Sequence, residues 1–110
     1  MPSIAEVTSG TQAATLDTEH TLATETAAEV YILAVNLSNL VSGDVVVLRV
    51  KTKVVSAGAA ALAFEQTFTG AQAEDVAYSE PVPSAHSAAF TLEQTDGTGR
   101  SFEWSILKVV

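Results

Sequence analysis

The feature that most constrains the fold is an alternating stretch in the middle of the chain. Val46, Leu48 and Val50 occupy even positions of residues 44–55, and basic residues begin at the odd position Arg49. Successive side chains of a β-strand point to opposite faces, so this spacing makes one apolar and one charged face. A helix would scatter the charges around its axis. The stretch therefore predicts a strand with one buried and one solvated face.

A second apolar run follows after a short turn. The Ser, Ala and Gly residues at 56–60 separate the first strand from Leu62, Phe64 and Phe68, which alternate in the same way. Two alternating runs joined by such a turn favour a β-hairpin. The alanines of residues 59–63 also suit a helix, but that helix would be too short to form alone.

The end of the chain predicts another hairpin. Phe90 and Leu92 alternate within residues 88–94, a DGTG turn follows, and Phe102 begins the final alternating run. Aspartate and glycine at the junction are typical hairpin-turn residues. We therefore expect these two strands to pair with each other.

Two central segments are read from apolar density and turn residues. Residues 27–36 are apolar at both even and odd positions, which is typical of a central strand covered on both faces. The NLSNLVSG segment that follows, residues 36–43, suits a single helical turn. Its Leu37 and Leu40 are expected to cover the open end of the core.

Two peripheral segments complete the chain. Pro81 and Pro83 lack ladder donors, so the segment from the short extended piece at residues 76–78 onward is expected at a sheet edge or outside the sheet. Residues 1–12 are rich in small and threonine residues and are expected to form an extended N-terminal arm, leading into a weak first strand at residues 13–23.

Together these runs predict an all-β chain: a small antiparallel β-sandwich or barrel of 6–7 short strands in a single domain of residues 1–110. The predicted inward-facing residues are Val30, Ile32, Val46, Leu48, Val50, Leu62, Phe64, Phe68, Phe90, Leu92, Phe102, Trp104 and Ile106.

Charge and composition limit the partners. Thirteen acidic and five basic residues give a formal net charge of -8, which repels nucleic acid and anionic membrane surfaces. The chain has no cysteine, so a disulfide or a thiolate metal site is excluded. It has no basic leader followed by an apolar run and no apolar stretch near the length of a membrane span, so we expect a soluble protein made in the cytoplasm.

No motif predicts catalysis, a cofactor or a metal. His20 and His86 have no ligand partners at a metal-site spacing, and the Glu74 and Asp75 pair lacks the pattern of a calcium loop. The DGTGR segment, residues 96–100, lacks the pattern of a phosphate-binding loop and resembles a hairpin turn. We expect a non-enzymatic protein.

The most unusual local feature is a basic stripe. Arg49, Lys51 and Lys53 are three of only five basic residues, and they share one strand face. They either pair across strands with acidic residues, for which Glu65, Glu93 and Glu103 are the candidates, or form a docking face for an acidic patch on a neighbouring subunit. The three basic residues are the predicted protein-contact residues.

Two segments resemble known proteins. The segments NLSNLVSGDVVVLRVKTKV and TLEQTDGTGRSFEWSILKV are similar to small structural proteins of tailed bacteriophages, which share an (N/S)LxxGD-type turn before a charged strand and a Gly-Arg-aromatic-x-Trp pattern near the C-terminus. The resemblance covers residues 19–110. It implies a virion component of the head decoration, cement or head-fibre type.

The resemblance leads to a functional expectation. We expect a capsid decoration or cement protein on the outer surface of a phage head, in contact with the major capsid protein and with neighbouring copies of itself. A homo-oligomer is expected, and a trimer would suit a threefold position on a shell.

The alternative is a fibre, spike or tail component with a receptor- or carbohydrate-binding role. Such sites commonly use exposed aromatic residues, and here Tyr31, Tyr78 and Trp104 are the candidates besides the phenylalanines.

Overall fold

Antiparallel strands account for the regular structure of residues 3–110, the part of the chain that the computed structural model describes. This part contains no helix, and in particular none long and apolar enough to cross a membrane. Its nine strands are β1 (Ile4–Ala13), β2 (Glu19–Glu25), β3 (Glu29–Asn36), β4 (Val45–Thr52), β5 (Ala61–Thr69), β6 (Val76–Tyr78), β7 (Val82–Ser84), β8 (Ala88–Asp96) and β9 (Ser101–Val109).

The strands form two antiparallel sheets in a sandwich-like arrangement. The first sheet has the order β1-β9-β3-β6, with β7 also paired to β3, and the second has the order β2-β8-β4-β5. The all-β prediction is confirmed. The number of strands exceeds the predicted 6–7 because the threonine-rich N-terminus and the proline-flanked segment, which are weak strand signals, also pair into the first sheet.

The core lies between the sheets and takes side chains from both inner faces. Tyr31 of β3 and Phe90 of β8 meet edge to face, with ring centroids 5.7 Å apart. The predicted core residues Val46, Leu48, Val50, Phe90, Leu92, Phe102 and Ile106 are all buried. Phe64, Phe68 and Trp104 are partly buried against this cluster.

Strand β3 faces the opposite way to the prediction. Its buried side chains are Tyr31, Leu33 and Val35, whereas Val30 and Ile32 are half-buried. In an antiparallel pair directly opposite residues share a face, and Leu33 stands opposite Ile106 of the core. Because residues 30–35 of β3 contain no charged residue and are apolar or aromatic throughout, alternation alone did not distinguish its two faces.

The first predicted hairpin is confirmed, although one of its apolar residues is not in the core. Strands β4 and β5 pair antiparallel, with Val46 opposite Phe68 and Val50 opposite Phe64. A bulge after Val50 shifts the register at the start of β5. Leu62, predicted to face inward, is 53% exposed.

The second predicted hairpin is wrong. Strand β8 belongs to the second sheet and pairs with β2 and β4, whereas β9 belongs to the first sheet and pairs with β1 and β3. The DGTG segment therefore turns the chain from one sheet to the other. The side chain of Asp44, which lies outside the segment, holds this corner through hydrogen bonds with Thr98 and Arg100.

The N-terminal prediction is also corrected. Residues 4–12, expected within an arm, form β1 together with Ala13 at the edge of the first sheet, paired with β9. The weak strand predicted at residues 13–23 is interrupted by a turn at residues 14–18, where Asp17 has a φ of 61°. Residues 1 and 2 of the predicted arm lie outside the described residues.

The segment at residues 36–43 forms turns instead of the predicted helical turn. The Leu40 N–H donates to the Leu37 carbonyl and the Asp44 N–H donates to the Val41 carbonyl, both at 3.0 Å. Leu37 and Leu40 are nevertheless buried, as predicted. The short strand at residues 76–78 and the edge position of Pro83 in β7, opposite Val30, also agree with the sequence.

Candidate functional site: the basic stripe, the sheet corner and the apolar tip

Arg49 is at the centre of a charged network on the outer face of the second sheet. Its guanidinium lies 2.7 Å from a carboxylate oxygen of Glu65 on β5, 2.9 Å from one of Glu93 on β8 and 3.4 Å from one of Glu19 on β2. The carboxylate of Glu93, followed by that of Glu65, raises the pKa of Arg49 above its ordinary value. One cation thus ties together all four strands of the sheet.

Lys51 extends the network toward β2. Its ammonium lies 3.0 Å from the Glu19 carboxylate, which also accepts a 2.6 Å hydrogen bond from the buried Thr91 hydroxyl. The hydrogen bond from Thr91, followed by that from Lys51, lowers the pKa of Glu19 below its ordinary 4.5. No sequence signal pointed to Glu19, because only the β2–β8 pairing brings it beside the stripe.

The structure thus places Arg49 in the cross-strand pairs that the sequence allowed, whereas Lys51 pairs with Glu19, which was not among the predicted partners. Glu65 and Glu93 are partners of Arg49, but Glu103 lies on β9 of the other sheet and accepts a hydrogen bond from Asn36. Lys53 follows the end of β4 and makes no ion pair within residues 3–110. Docking through the three basic residues stays a prediction. Lys53 tests it best, because replacing Lys53 breaks none of these ion pairs.

Charge reversal should separate the two roles. Arg49→Glu would place a fourth carboxylate among Glu19, Glu65 and Glu93, and we expect it to lower the free energy of unfolding by about 1 to 2 kcal/mol. Lys53→Glu changes the net charge equally but breaks no ion pair, so we expect a change below about 0.5 kcal/mol. Urea denaturation of both variants checks this, and equal losses would mean that the network contributes nothing.

The corner between β8 and β9 is organised by a buried carboxylate. Asp44, 1% exposed, accepts hydrogen bonds from the backbone N–H groups of Val41 and Thr98, and its Oδ2 lies 2.9 Å from Arg100 Nε. The hydrogen bond from Arg100 is the main cause that lowers the pKa of Asp44 below its ordinary 3.8. The DGTGR segment is therefore a corner between the two sheets, and Arg100 of this segment binds the buried Asp44. The interpretation of the segment as a hairpin turn was wrong.

Acid should destabilise the fold in a defined window. The pKa values of Asp44 and Glu19 are lowered on folding, so the unfolded state binds more protons between the folded and unfolded values. Their stabilisation is present above about pH 4.5 and is lost as the pH falls through the folded pKa values. We expect the free energy of unfolding to decline below about pH 4.5, and less steeply in Thr91→Val, which lacks the hydroxyl bound to Glu19. A wild-type protein that is most stable near pH 3 would contradict this.

A group of exposed apolar side chains lies in the loop between β4 and β5 and at the start of β5. We call residues 53–62 the β4–β5 tip. It carries one charged residue, Lys53, while Val54 is 84%, Val55 59% and Leu62 53% exposed. Single exposed apolar residues are common, but an adjacent group of them typically marks an interaction site. The sequence shows this feature, because residues 53–62 are almost without polar side chains, although we interpreted the segment only as a turn.

A groove opens beside the β4–β5 tip, at the end of the sandwich where β3 begins and β9 ends. It has a volume of about 590 Å³, and its lining includes Val54, Val30, Pro83, Val109 and Ser84. Ser84 is 5% exposed, and its hydroxyl has no hydrogen-bond partner within the described part of the chain. Most buried polar groups have a partner, so Ser84 is an exception. We call the cavity the tip groove, and its surface is mainly apolar.

The remaining candidates are accounted for locally. The Nε2 atom of His20 accepts a 3.0 Å hydrogen bond from the Thr15 backbone and so fixes the turn before β2. Glu74 and Asp75 lie exposed before β6. Residues 3–110 contain no group of three or more His, Cys, Asp or Glu side chains arranged to hold a metal ion.

Comparison with known proteins gives no assignment. No family model matches the chain, and neither the curated proteins nor the solved structures include a match to it.

Proposed function

We propose that this chain is a non-enzymatic structural component of a tailed-phage particle, and specifically a capsid decoration or cement protein on the outer surface of the head. Its partners are the major capsid protein and neighbouring copies of itself. The resemblance of residues 19–110 to small tailed-phage structural proteins supports the kind of particle. The exposed β4–β5 tip supports the mode of action.

The observation that carries the proposal is the exposure of Val54 and Val55 next to the tip groove. Burying a valine side chain fully stabilises a complex by about 1.5 kcal/mol or more. Two adjacent valines that enter a pocket of a capsomer, with a capsid side chain entering the groove, form a compact anchor of the kind that dominates protein interfaces. Lys53 lies beside them and suits an acidic rim on the capsid protein.

Contact between copies is supported by the sheet edges. Strand β1 is ten residues long, forms one edge of the first sheet and carries a single charged residue, Glu6. Edge strands with few charges pair readily with another chain unless something covers them. A neighbouring copy along this edge would cover it, which suits a protein arranged in rings on a shell.

The direct test is cosedimentation of the purified protein with empty shells of the major capsid protein encoded beside it. We expect saturable binding at a fixed ratio per capsomer. Changing both tip valines, Val54→Asp with Val55→Asp, should weaken binding at least tenfold, because each carboxylate would have to leave water. Lys53→Glu should weaken it less and mainly at low salt.

A control places one carboxylate at an exposed apolar position elsewhere. Leu16 is 39% exposed in the turn between β1 and β2, and Leu16→Asp should leave shell binding unchanged. Equal losses in the tip and Leu16 variants would point to nonspecific effects and refute the tip as the anchor. Protein that ignores shells but incorporates into tails would instead support a fibre or tail component.

A further inference from the structure

The outer face of the first sheet carries a second groove, unrelated to the β4–β5 tip. Its floor is a cross-strand row of short side chains: Ser9 on β1 stands opposite Ser105 on β9, which stands opposite Ala34 on β3. The row ends at Tyr78 on β6, opposite Ala34. Directly opposite residues share a face, so the short side chains leave a depression bounded by a tyrosine. We call this the outer groove; its volume is about 610 Å³.

The walls of the outer groove combine polar and apolar side chains. Glu6 and Leu107 stand opposite each other on one side of the floor, and Thr11 and Glu103 on the other. The Asn36 side chain donates a 3.2 Å hydrogen bond from Nδ2 to Glu103, and its Oδ1 accepts one from the Ser38 backbone. The amide and one carboxylate are thus held in fixed positions before any ligand arrives.

Tyr78 is the exposed aromatic residue of this surface. It is 62% exposed, whereas Tyr31 is buried and Trp104 is partly buried against the core. A tyrosine that pairs in a sheet and still presents most of its surface to water offers an apolar ring face beside a hydroxyl. Of the three aromatic candidates in the sequence, Tyr78 presents the most surface to a ligand, and Trp104 also lines the groove.

The chemistry of the outer groove selects a class of ligand. Within residues 3–110 no lysine, arginine or histidine lines it, and two carboxylates do, so phosphate and other anions are repelled. Hydroxyl, amide and carboxylate groups share the lining with apolar side chains such as Val76 and Leu107, so a purely apolar ligand would leave the polar groups unpaired. A neutral polyol satisfies both conditions, because its hydroxyls donate to carboxylates and accept from Ser, Thr and Asn groups.

We propose that the outer groove binds a neutral carbohydrate chain, whose sugar ring stacks on Tyr78 and whose hydroxyls bond Glu103, Asn36 and the serines of the floor. The row from β1 to β6 spans three inter-strand gaps, or about 14 Å, which accommodates a short oligosaccharide and not merely one sugar. This activity goes beyond the proposed head function and does not depend on it.

The test begins with an array of neutral and anionic oligosaccharides and labelled full-length protein. We expect binding to a subset of neutral glycans, and titration of the strongest one should shift backbone amide signals of β1, β3, β6 and β9 in NMR spectra. Tyr78→Ala should weaken the affinity at least tenfold and Glu103→Gln about tenfold. Tyr78→Phe, which keeps the ring, should stay within about threefold.

Controls separate this proposal from its alternatives. Thr67→Ala, on an exposed strand of the other sheet, should leave glycan affinity unchanged. A groove that serves cations would instead bind spermine, weaken steeply with salt and ignore neutral glycans. That result, or an array without any neutral ligand, would overturn the proposal. Tyr78→Ala should still bind empty shells, so failure of one function is distinguishable from failure of the other.

Discussion

Replacing Gly97 by alanine is expected to lower the free energy of unfolding by about 3 kcal/mol or more. Gly97 has a φ of +87°, a backbone conformation that residues other than glycine rarely adopt. In addition, an alanine Cβ would overlap the buried Asp44 carboxylate and come within 2.8 Å of Asp44 Cα. The backbone of Asp44 cannot move aside without disturbing the start of β4. Denaturant unfolding followed by tryptophan fluorescence measures the loss.

Gly43 provides the matched control. It has a φ of +95°, but a Cβ there would meet nothing within 4 Å. Gly43→Ala should therefore show only the backbone term, about 1 to 2 kcal/mol. If both variants lost the same free energy, the close packing of Gly97 against Asp44 would be irrelevant to stability.

Gln94→Glu should lower the free energy of unfolding nearly as much as Gly97→Ala, although it only replaces the side-chain amide by a carboxylate. Gln94 is fully buried; its Nε2 donates to the carbonyls of Asp96 and Thr98, and its Oε1 accepts from the Arg100 N–H. A carboxylate keeps the acceptor but loses both donors and faces two carbonyl oxygens. Unmade hydrogen bonds of buried groups cost about 1 to 3 kcal/mol each, so we expect a loss of about 3 kcal/mol at neutral pH.

The same variant has a diagnostic pH dependence. Facing carbonyls, the new carboxyl would have a raised pKa in the folded state, so its protonated form is favoured there. The difference in stability from wild type should be largest at neutral pH and shrink as the pH falls from the raised folded-state pKa toward the ordinary glutamate pKa of about 4.3. Gln66→Glu, at an exposed position of β5, adds the same charge and should change stability by less than about 0.5 kcal/mol. A constant difference at all pH values would contradict the role assigned to Gln94.

The contacts of Asp44 explain why the second hairpin was predicted wrongly. An Asp-Gly turn between alternating strands favours direct pairing when only local sequence is considered. Here Asp44, more than 50 positions upstream, accepts hydrogen bonds from Thr98 and Arg100 and anchors the segment as a corner. The carboxylate that redirects the chain is brought there by the packing of β4, which no local pattern reveals.

The candidate sites divide in the same way. Arg49 and its partners Glu65 and Glu93 followed from charge alternation, because cross-strand pairs obey the same period of two. Glu19 and the outer groove did not, since they depend on which strands become neighbours: Ser9, Ser105 and Ala34 are far apart along the chain and meet only through the order β1-β9-β3.

The sequence by itself determined the β class, the first hairpin, the edge position of the prolines and most of the core, because alternation over short runs is a local property of strands. The tertiary structure alone decided which face of β3 turns inward, which sheet each terminal strand joins and which loop remains exposed. Val30 and Tyr31 are neighbours that could each fill the core, so only the pairing of β3 with β9 and the space opposite Phe90 place the tyrosine inside. Strand order is a long-range choice among packings, and local patterns do not contain it.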